Sequence, residues 1–193
     1  ENNQALSWSD DGTLRLWNLN DGSSKVFQGH TDDIEGVHLL GNNPALSYSD
    51  WDGTLRLWNL NDGSSSLSEG HTDDVVGLHL LENNQALSWS DDGTLRLWDL
   101  KDGSSKVFEG HTDWISGVHL LENNHALSCS SDGTLRLWNL QDGSSRIFEG
   151  HTNAIKGVHL LENYKALSWS RDGTLCLWDL KGGSSKVFKL CDD

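Results

Sequence analysis

The chain has 193 residues and a formal net charge of −15, because 29 acidic side chains outnumber 14 basic ones. This charge argues against nucleic acids and anionic membranes as main partners, since both bind basic surfaces. Hydrophobic residues make up 35% of the chain and there are 20 glycines, a composition that is ordinary for a globular protein and argues against disorder. The sequence has no apolar run long enough to span a membrane, and its first residues lack the basic and apolar regions of a signal peptide.

One sequence unit recurs along the whole chain. It contains a Gly-His pair and, further on, an Asp-Gly turn followed by Thr-Leu-Arg-Leu-Trp or a close variant. The Gly-His pairs begin at Gly29, Gly70, Gly110 and Gly150, with spacings of 41, 40 and 40 residues. Self-similarity at a fixed period predicts a repeat architecture.

Residues 70–109 show the predicted elements of one unit in chain order. Four short runs rich in apolar residues predict strands: Val75–Leu81, Ala86–Ser90, Thr94–Leu100 and Lys106–Phe108. The Asp92-Gly93 pair is a hairpin turn signal between the second and third strands. A single four-stranded sheet cannot bury both its faces, whereas sheets stacked side by side can, and this is the physical basis of a propeller. We therefore predict an all-β protein.

The first unit begins at its second strand, because no Gly-His pair precedes it. One incomplete and four complete sheets give 19 predicted strands, or about 4.75 blades if each sheet is a propeller blade. The predicted blade ranges are 1–28 (incomplete), 29–69, 70–109, 110–149 and 150–193.

Gly-His followed by Ser-x-Ser-x-Asp-Gly-Thr-Leu-Arg-Leu-Trp resembles the WD-repeat β-propeller family over essentially the whole chain. The near-identity of the repeats is typical of recently amplified, bacterial-type members. The resemblance implies an all-β propeller of four-stranded antiparallel blades. Propellers have about 4–8 blades, so three alternatives remain open. The chain is part of a longer array, a second chain completes a larger ring, or the five blades close alone.

Each complete unit also contains the Ser, His and Asp of a nucleophilic triad. Recurrence in four units argues against catalysis, because a catalytic site normally occurs once in a domain. The resemblance implies a structural role instead, in which His, Ser, Asp and Trp form a buried hydrogen-bonded tetrad in each blade. The predicted tetrads are His30-Ser47-Asp52-Trp58, His71-Ser88-Asp92-Trp98, His111-Ser128-Asp132-Trp138 and His151-Ser168-Asp172-Trp178.

The remaining histidines and cysteines predict no catalytic, metal or cofactor site. A second histidine recurs in each complete unit and is expected to be packed or to line the channel: His38, His79, His119 and His159. The three cysteines are odd in number and lack metal-binding spacing, so we expect free thiols in a reducing, cytoplasmic compartment: Cys129, Cys176 and Cys191.

Comparison of the repeats with each other separates a shared framework from variable positions. The loop before the first strand and the turn between the second and third strands lie at the same end of an antiparallel blade. Variable residues in both should therefore converge on one surface, here called the top face, and the resemblance implies that partners bind there. The candidates are Asp33, Glu35, Trp51, Asp74, Val76, Asp91, Trp114, Ser116, Ser131, Ala154, Lys156 and Arg171. Neutral variation at exposed positions is the alternative.

Three functions are considered. The first is a non-catalytic protein–protein interaction scaffold, which by extension could be the sensor part of a larger bacterial signalling protein. The second is an engineered or excised repeat fragment without a ligand, used to study propeller assembly. The third is an enzyme, which the absence of a single-copy polar cluster disfavours. The expected partners are a protein or peptide on the top face and a second copy of the chain, with no nucleic acid, membrane or cofactor.

Overall fold

The computed structural model describes residues 3–41 and 43–189. These residues form 19 strands and no helix, arranged as one three-stranded and four four-stranded sheets. The prediction of an all-β fold built from four-stranded antiparallel blades is confirmed. No helix in the described ranges could cross a membrane.

Each sheet contains strands that are consecutive in sequence and is called a blade. Blade 1 contains β1 (Gln4–Trp8), β2 (Thr13–Asn18) and β3 (Ser24–Gln28). Blade 2 contains β4 (Ile34–Leu39), β5 (Ala45–Ser49), β6 (Leu55–Trp58) and β7 (Ser65–Ser68). Blade 3 contains β8 (Val75–Leu81), β9 (Gln85–Ser90), β10 (Leu95–Asp99) and β11 (Ser105–Phe108). Blade 4 contains β12 (Ile115–Leu121), β13 (His125–Ser130), β14 (Thr134–Asn139) and β15 (Ser145–Glu149). Blade 5 contains β16 (Ile155–Leu161), β17 (Lys165–Ser170), β18 (Thr174–Asp179) and β19 (Ser185–Lys189).

The strands of a complete blade are called a, b, c and d in chain order, and blade 1 consists of strands b, c and d. The register supports this equivalence. Ser7 of β1 lies opposite Arg15 of β2, just as Ser128 of β13 lies opposite Arg136 of β14.

The described chain divides into two compact units. Unit 1 comprises the residues up to Ser90 together with Arg96–Val107, and unit 2 comprises Asp91–Leu95 together with the residues from Phe108 onward. Blades 1 and 2 therefore belong to unit 1 and blades 4 and 5 to unit 2, while blade 3 belongs mostly to unit 1 and contributes Leu95 and Phe108 to unit 2.

The core lies between neighbouring blades. In unit 1, Phe27 of blade 1 joins Ile34 and Trp58 of blade 2 in one buried cluster. In unit 2, Phe148 of blade 4 joins Trp178 of blade 5 in another. Both faces of an internal blade are covered, so apolar residues point to both sides of the same strand. This explains why the sequence lacks the clean apolar–polar alternation of a sheet with one solvated face.

A β-bulge interrupts the pairing of strand a with strand b in each complete blade. Between Ile115 and Gly117 the register shifts by one residue, and the same shift follows Ile34, Val75 and Ile155. A bulge leaves one residue unpaired and redirects its side chain. The residues placed at the bulges are all exposed, and they are Glu35, Val76, Ser116 and Lys156.

Candidate functional site

The predicted tetrad of blade 2 is assembled in the structure. Trp58 Nε1 donates to Ser47 Oγ at 2.8 Å, and Ser47 Oγ lies 2.6 Å from His30 Nε2. On the other side of the ring, His30 Nδ1 lies 3.0 Å from Asp52 Oδ2. Trp58 and Ser47 are fully buried, so the network satisfies polar groups that have no access to water.

Unit 2 contains two further networks with nearly the same geometry. In blade 4, His111 Nδ1 lies 2.8 Å from Asp132 Oδ2 and His111 Nε2 lies 2.7 Å from Ser128 Oγ. In blade 5 the corresponding distances are 3.0 Å and 2.7 Å, and the residues are His151, Asp172 and Ser168. Trp138 and Trp178 complete these networks through bonds of 2.8 Å and 2.7 Å to the serine oxygens.

Blade 3 shows the inner part of the same arrangement. His71 Nε2 lies 2.7 Å from Ser88 Oγ, which also accepts a bond of 2.8 Å from Trp98 Nε1. Asp92 accepts bonds from the backbone and the hydroxyl of Thr94 at 2.8 Å and 2.7 Å. Asp92 is therefore held in the b–c turn by the following threonine, as Asp52 is held by Thr54 in blade 2.

The proton positions in blade 2 follow from the pKa values. Burial lowers the pKa of His30, although Asp52 opposes this shift, so the ring is neutral at pH 7. Burial alone would raise the pKa of Asp52, but hydrogen bonds from Thr54 and His30 outweigh it and the pKa falls below its ordinary value. A neutral His30 donates from Nδ1 to the carboxylate and accepts at Nε2 from the Ser47 hydroxyl. Each donor in this hydrogen-bonded network, from the tryptophan through the serine and histidine to the aspartate, thus has one acceptor.

This arrangement lacks the properties of a catalytic triad. The serine oxygen is fully buried in Ser47, Ser88, Ser128 and Ser168, so a substrate could not reach it. Each serine also accepts a bond from a tryptophan, which a nucleophile would have to give up. The geometry therefore supports a structural role for the tetrads.

The cysteines within the described ranges are free, buried thiols, and Cys191 lies outside those ranges. Burial raises the pKa of Cys129 to about 12, so this thiol stays protonated at neutral pH. Burial also raises the pKa of Cys176. Since the thiolate is the reactive form, neither group is set up as a nucleophile. Among residues 3–41 and 43–189 no cluster of His, Cys, Asp or Glu could hold a metal ion.

An arginine lies over the tetrad tryptophan in blades 2, 3 and 4, and this contact was not predicted from the sequence. The guanidinium carbon of Arg56 lies 5.8 Å from the Trp58 ring centroid, and Arg96 and Arg136 take the same position in their blades. In blade 5 the residue is Cys176, whose Sγ lies 3.8 Å from His151 Nδ1. The sequence signal that could have predicted this contact is the Arg that stands two residues before the strand-c Trp in every blade except blade 5.

The two segments that form the predicted top face meet in blades 2, 4 and 5. In blade 4, Ser131 of the b–c turn donates its backbone N–H to the carbonyl of Trp114 in the preceding loop at 2.8 Å. The equivalent bond runs from the Asp50 N–H to the Asp33 carbonyl in blade 2 and from the Arg171 N–H to the Ala154 carbonyl in blade 5. Variable positions that are about 17 residues apart in sequence are thereby adjacent in space.

The top face of unit 1 is acidic and carries an exposed tryptophan. Trp51 is 71% exposed at the tip of the b–c turn of blade 2. Burial raises the pKa of Asp33, and the nearby Asp10 and Asp32 raise it further. Burial also raises the pKa of Asp74, and the nearby Asp73 and Asp32 raise it further. The remaining candidates of this unit, Glu35 and Val76, are exposed at the bulges of strands β4 and β8.

The top face of unit 2 has a different chemistry. Trp114 is 56% exposed in the loop before β12, and Lys156 and Arg171 are exposed in blade 5. Ser116 contacts the neighbouring blade by donating from Oγ to the carbonyl of Ile155 at 3.0 Å. The other candidates of this unit are half-buried: Asp91, Ser131 and Ala154.

The extra residue in the b–c turn of blade 2 has a structural consequence that the sequence did not reveal. In blade 4, Ser130 Oγ donates to the carbonyl of Asp113 at 2.9 Å. The equivalent Ser49 Oγ is buried without a hydrogen-bond partner among the described atoms. The insertion therefore projects Trp51 outward and disrupts a framework bond, while the tetrad below it stays intact.

Comparisons with known proteins agree with this architecture. The family described as WD domain, G-beta repeat matches residues 22–59, 64–99, 103–139 and 143–179. Each match runs from strand d of one blade to strand c of the next. The crystal structure of the computationally designed Ika8 protein superposes with a TM-score of 0.76 and 26% identity. The superposition covers 97% of this chain but only 59% of that one. No curated protein matches by sequence.

Proposed function

Because the chain belongs to the WD-repeat family, whose members are generally non-catalytic scaffolds for protein interaction, we propose that its partners bind at the top faces of its two units. One observation carries this proposal. The blades share their buried tetrads and pairing, yet at the joined loop and turn they differ radically and expose Trp51 and Trp114. Exposed aromatic residues are the usual anchors of protein interfaces.

The two units are proposed to prefer peptides of different charge. The carboxylates around Trp51 favour a partner segment that carries Lys or Arg near an apolar residue, because opposite charges speed association and exclude like-charged competitors. Lys156 and Arg171, which are exposed in the same unit as Trp114, favour a less basic segment. A place in a larger signalling protein of bacterial type, in the reducing cytoplasm, extends this proposal and is supported by the near-identical repeats and the free thiols.

A peptide library displayed on phage tests the proposal. Peptides selected on the wild-type chain should bind the Trp51→Ala or Trp114→Ala variant at least about tenfold more weakly, since truncating an interface anchor costs about 2 kcal/mol. Peptides dependent on Trp51 should be enriched in Lys and Arg. Binding should be measured by fluorescence anisotropy with labelled peptides.

Leu19→Ala is the matched control, because Leu19 is 58% exposed in a c–d turn, at the end of blade 1 opposite the top face. This variant should bind the selected peptides as the wild type does. If binding survives both tryptophan substitutions in folded protein, or depends instead on Leu19, the top faces are not the binding surface.

A further inference from the structure

Blade 5 lacks a side chain that blades 2, 3 and 4 share. In those three blades the arginine over the tetrad tryptophan also donates from Nη1 to a serine hydroxyl of strand d. The distances are 3.1, 3.1 and 3.3 Å for the pairs Arg56–Ser65, Arg96–Ser105 and Arg136–Ser145. Each of these blades therefore holds a guanidinium group in the same way.

The groups that hold this guanidinium are retained in blade 5. Trp178 occupies the tetrad position, and Ser185 lies opposite it in strand d, as the equivalent residues do in blade 4. The arginine itself is replaced by Cys176. The Cys176 thiol is fully buried and turns towards the tetrad, with Sγ 3.8 Å from His151 Nδ1. Blade 5 thus keeps the binding groups but has no guanidinium of its own to fill them.

The glycine of the Gly-His pair shows that the space of the guanidinium stays open in blade 5. A Cβ added at Gly110 would lie 2.7 Å from Nη1 of Arg136, so the arginine lies against this glycine in blade 4. At Gly150 the three nearest described atoms all belong to Trp178, at 2.8, 3.4 and 3.7 Å. Gly150 is accordingly exposed, whereas its equivalents in blades 2, 3 and 4 are half-buried. The open space bounded by Gly150, Trp178 and Ser185 is called the notch.

The notch lies within unit 2, on the side of strand c that faces the preceding blade. Phe148 of blade 4 packs edge-on against Trp178 there, with ring centroids 6.1 Å apart. Gly150 and Ser185 are exposed, so a solute can enter the notch from outside. Trp178 itself is buried, as are the equivalent tryptophans of blades 3 and 4 beneath their arginines. An entering group would therefore contact the outer edge of the ring.

The charges around the notch are compatible with a bound cation. Burial raises the pKa of Cys176, and the Asp172 carboxylate raises it further, so a negative charge acts at the base of the notch. Arg146 of blade 4 brings a positive charge to the c–d turn of blade 5, where it donates to a backbone carbonyl at 2.8 Å. Lys25 makes the same kind of contact with the c–d turn of blade 2, which nevertheless holds Arg56. A neighbouring cation therefore does not prevent a guanidinium from occupying this position.

We propose that the notch of blade 5 binds a guanidinium group from outside the chain, supplied by an arginine side chain of a protein segment or by a small guanidinium compound. The bound group donates to Ser185 Oγ, lies against the outer edge of Trp178 and covers Gly150, as the chain's own arginines do in blades 2, 3 and 4. A guanidinium is favoured over an ammonium, because its plane can lie on an aromatic ring while its N–H groups donate in fixed directions.

The residues of the notch are not among the top-face candidates, so the two proposals can fail independently. Partner binding at the top faces depends on Trp51 and Trp114, whereas binding in the notch depends on the space left by the arginine and on Ser185. Loss of one activity on substitution should therefore leave the other in place.

Titration of the full chain with methylguanidinium and with the peptide acetyl-Gly-Arg-Gly-amide tests the site and distinguishes the two sources. The indole N–H resonance of Trp178 should shift to saturation, while those of Trp58, Trp98 and Trp138 should not, because arginines already lie over these rings. Tighter binding of the peptide would identify an arginine side chain as the ligand, and equal or tighter binding of methylguanidinium a small compound. The peptide acetyl-Gly-Lys-Gly-amide should bind at least about threefold more weakly than the arginine peptide.

Matched variants fill, open or weaken the site. Cys176→Arg supplies the chain's own guanidinium and should abolish binding, whereas Cys176→Ser leaves the notch open and should bind as the wild type does. Arg56→Cys should add a second site, seen as a new shift of the Trp58 resonance. Ser185→Ala removes the hydroxyl acceptor and should weaken binding about three- to tenfold, while Ser184→Ala beside it should not.

General attraction of cations to a chain of net charge −15 is the competing explanation. Equal shifts of all the tryptophan resonances, equal binding of the arginine and lysine peptides, or binding retained by folded Cys176→Arg would establish that explanation and overturn the proposal. Absence of saturable binding to the wild type would overturn it as well. If Cys176→Arg fails to fold, the exposed pair Ser185→Ala and Ser184→Ala still decides, because equal binding by these two variants excludes the notch.

Discussion

The aspartate that ends each tetrad divides its two oxygens between two segments of the chain. In blade 4, Asp132 Oδ2 bonds His111 and the backbone N–H of Thr112, while Oδ1 bonds the backbone and hydroxyl of Thr134. Burial alone would raise the pKa of Asp132, but the bonds from His111 and Thr134 lower the pKa well below its ordinary value. One carboxylate therefore ties the loop before strand a to the b–c turn.

Replacing Asp132 with alanine should destabilise the protein without changing its fold. The substitution leaves the buried His111 ring and the turn amide of Thr134 without an acceptor, which costs roughly 1–3 kcal/mol in the free energy of unfolding at pH 7. Urea denaturation followed by tryptophan fluorescence measures the change, and an unchanged midpoint would contradict this role.

The pH dependence of that difference provides a second check on the same carboxylate. A carboxyl group with a lowered folded-state pKa adds stability above its unfolded-state pKa of about 3.9, and this stability is lost as the pH falls further. The gap between wild type and Asp132→Ala should therefore be constant from pH 7 to 5 and narrow below about pH 4. A gap that persists at low pH would assign the effect to packing instead.

At the scale of the strand, the outer strand of one blade packs on strand c of the next through a phenylalanine–tryptophan pair. The centroid distances are 6.1 Å for Phe27 with Trp58 and 6.1 Å for Phe148 with Trp178, both in edge-on geometry. Phe148 is 3% exposed, but Phe188, in the equivalent position of β19, is 39% exposed. Each phenylalanine lies opposite a strand-c leucine, Leu135 and Leu175 respectively, so the two positions form a matched pair.

Phe148→Ala should cost about 3–5 kcal/mol in the free energy of unfolding, because it opens a cavity against Trp178. Phe188→Ala should cost about 1 kcal/mol or less, because little of its ring is packed. Thermal and urea unfolding of both variants tests the difference. Similar losses at the two positions would mean that strand pairing, and not packing between blades, dominates the contribution of strand d.

Strand order could be predicted from the sequence because it depends on positions repeated in every unit, whereas the tetrads were implied by the resemblance to the WD-repeat family. The predicted bounds were less accurate. The third strand of blade 3 was expected over Thr94–Leu100 and spans Leu95–Asp99, since hydrogen bonding decides where pairing ends. The bulge at Ser116 and the unpartnered Ser49 could not be predicted, because each depends on the geometry of two segments that meet only in the fold.

The first and last blades expose residues that internal blades bury. Trp8 of blade 1 is 46% exposed, and Phe188 of blade 5 is 39% exposed, whereas the equivalent Phe108 and Phe148 are buried. Trp17 is half-buried, whereas the equivalent Trp58 is fully buried beneath Phe27 of the preceding blade. Phe188 and Trp17 are thus partly exposed at the positions where the equivalent phenylalanine and tryptophan of neighbouring blades pack on each other, so the two surfaces are complementary.

We therefore expect two copies of the chain to associate through Phe188 of one copy and Trp17 of the other. Light scattering after size exclusion should give a mass above 21.4 kDa that rises with protein concentration. Phe188→Glu should shift the population toward 21.4 kDa by placing a charge in the contact. Ile147→Glu, at an exposed position on the outer strand of blade 4, should leave the mass unchanged. The contact should strengthen at high ionic strength, because salt screens the repulsion between chains of charge −15. A single 21.4 kDa species across the concentration range, at low and at high salt, would contradict the association.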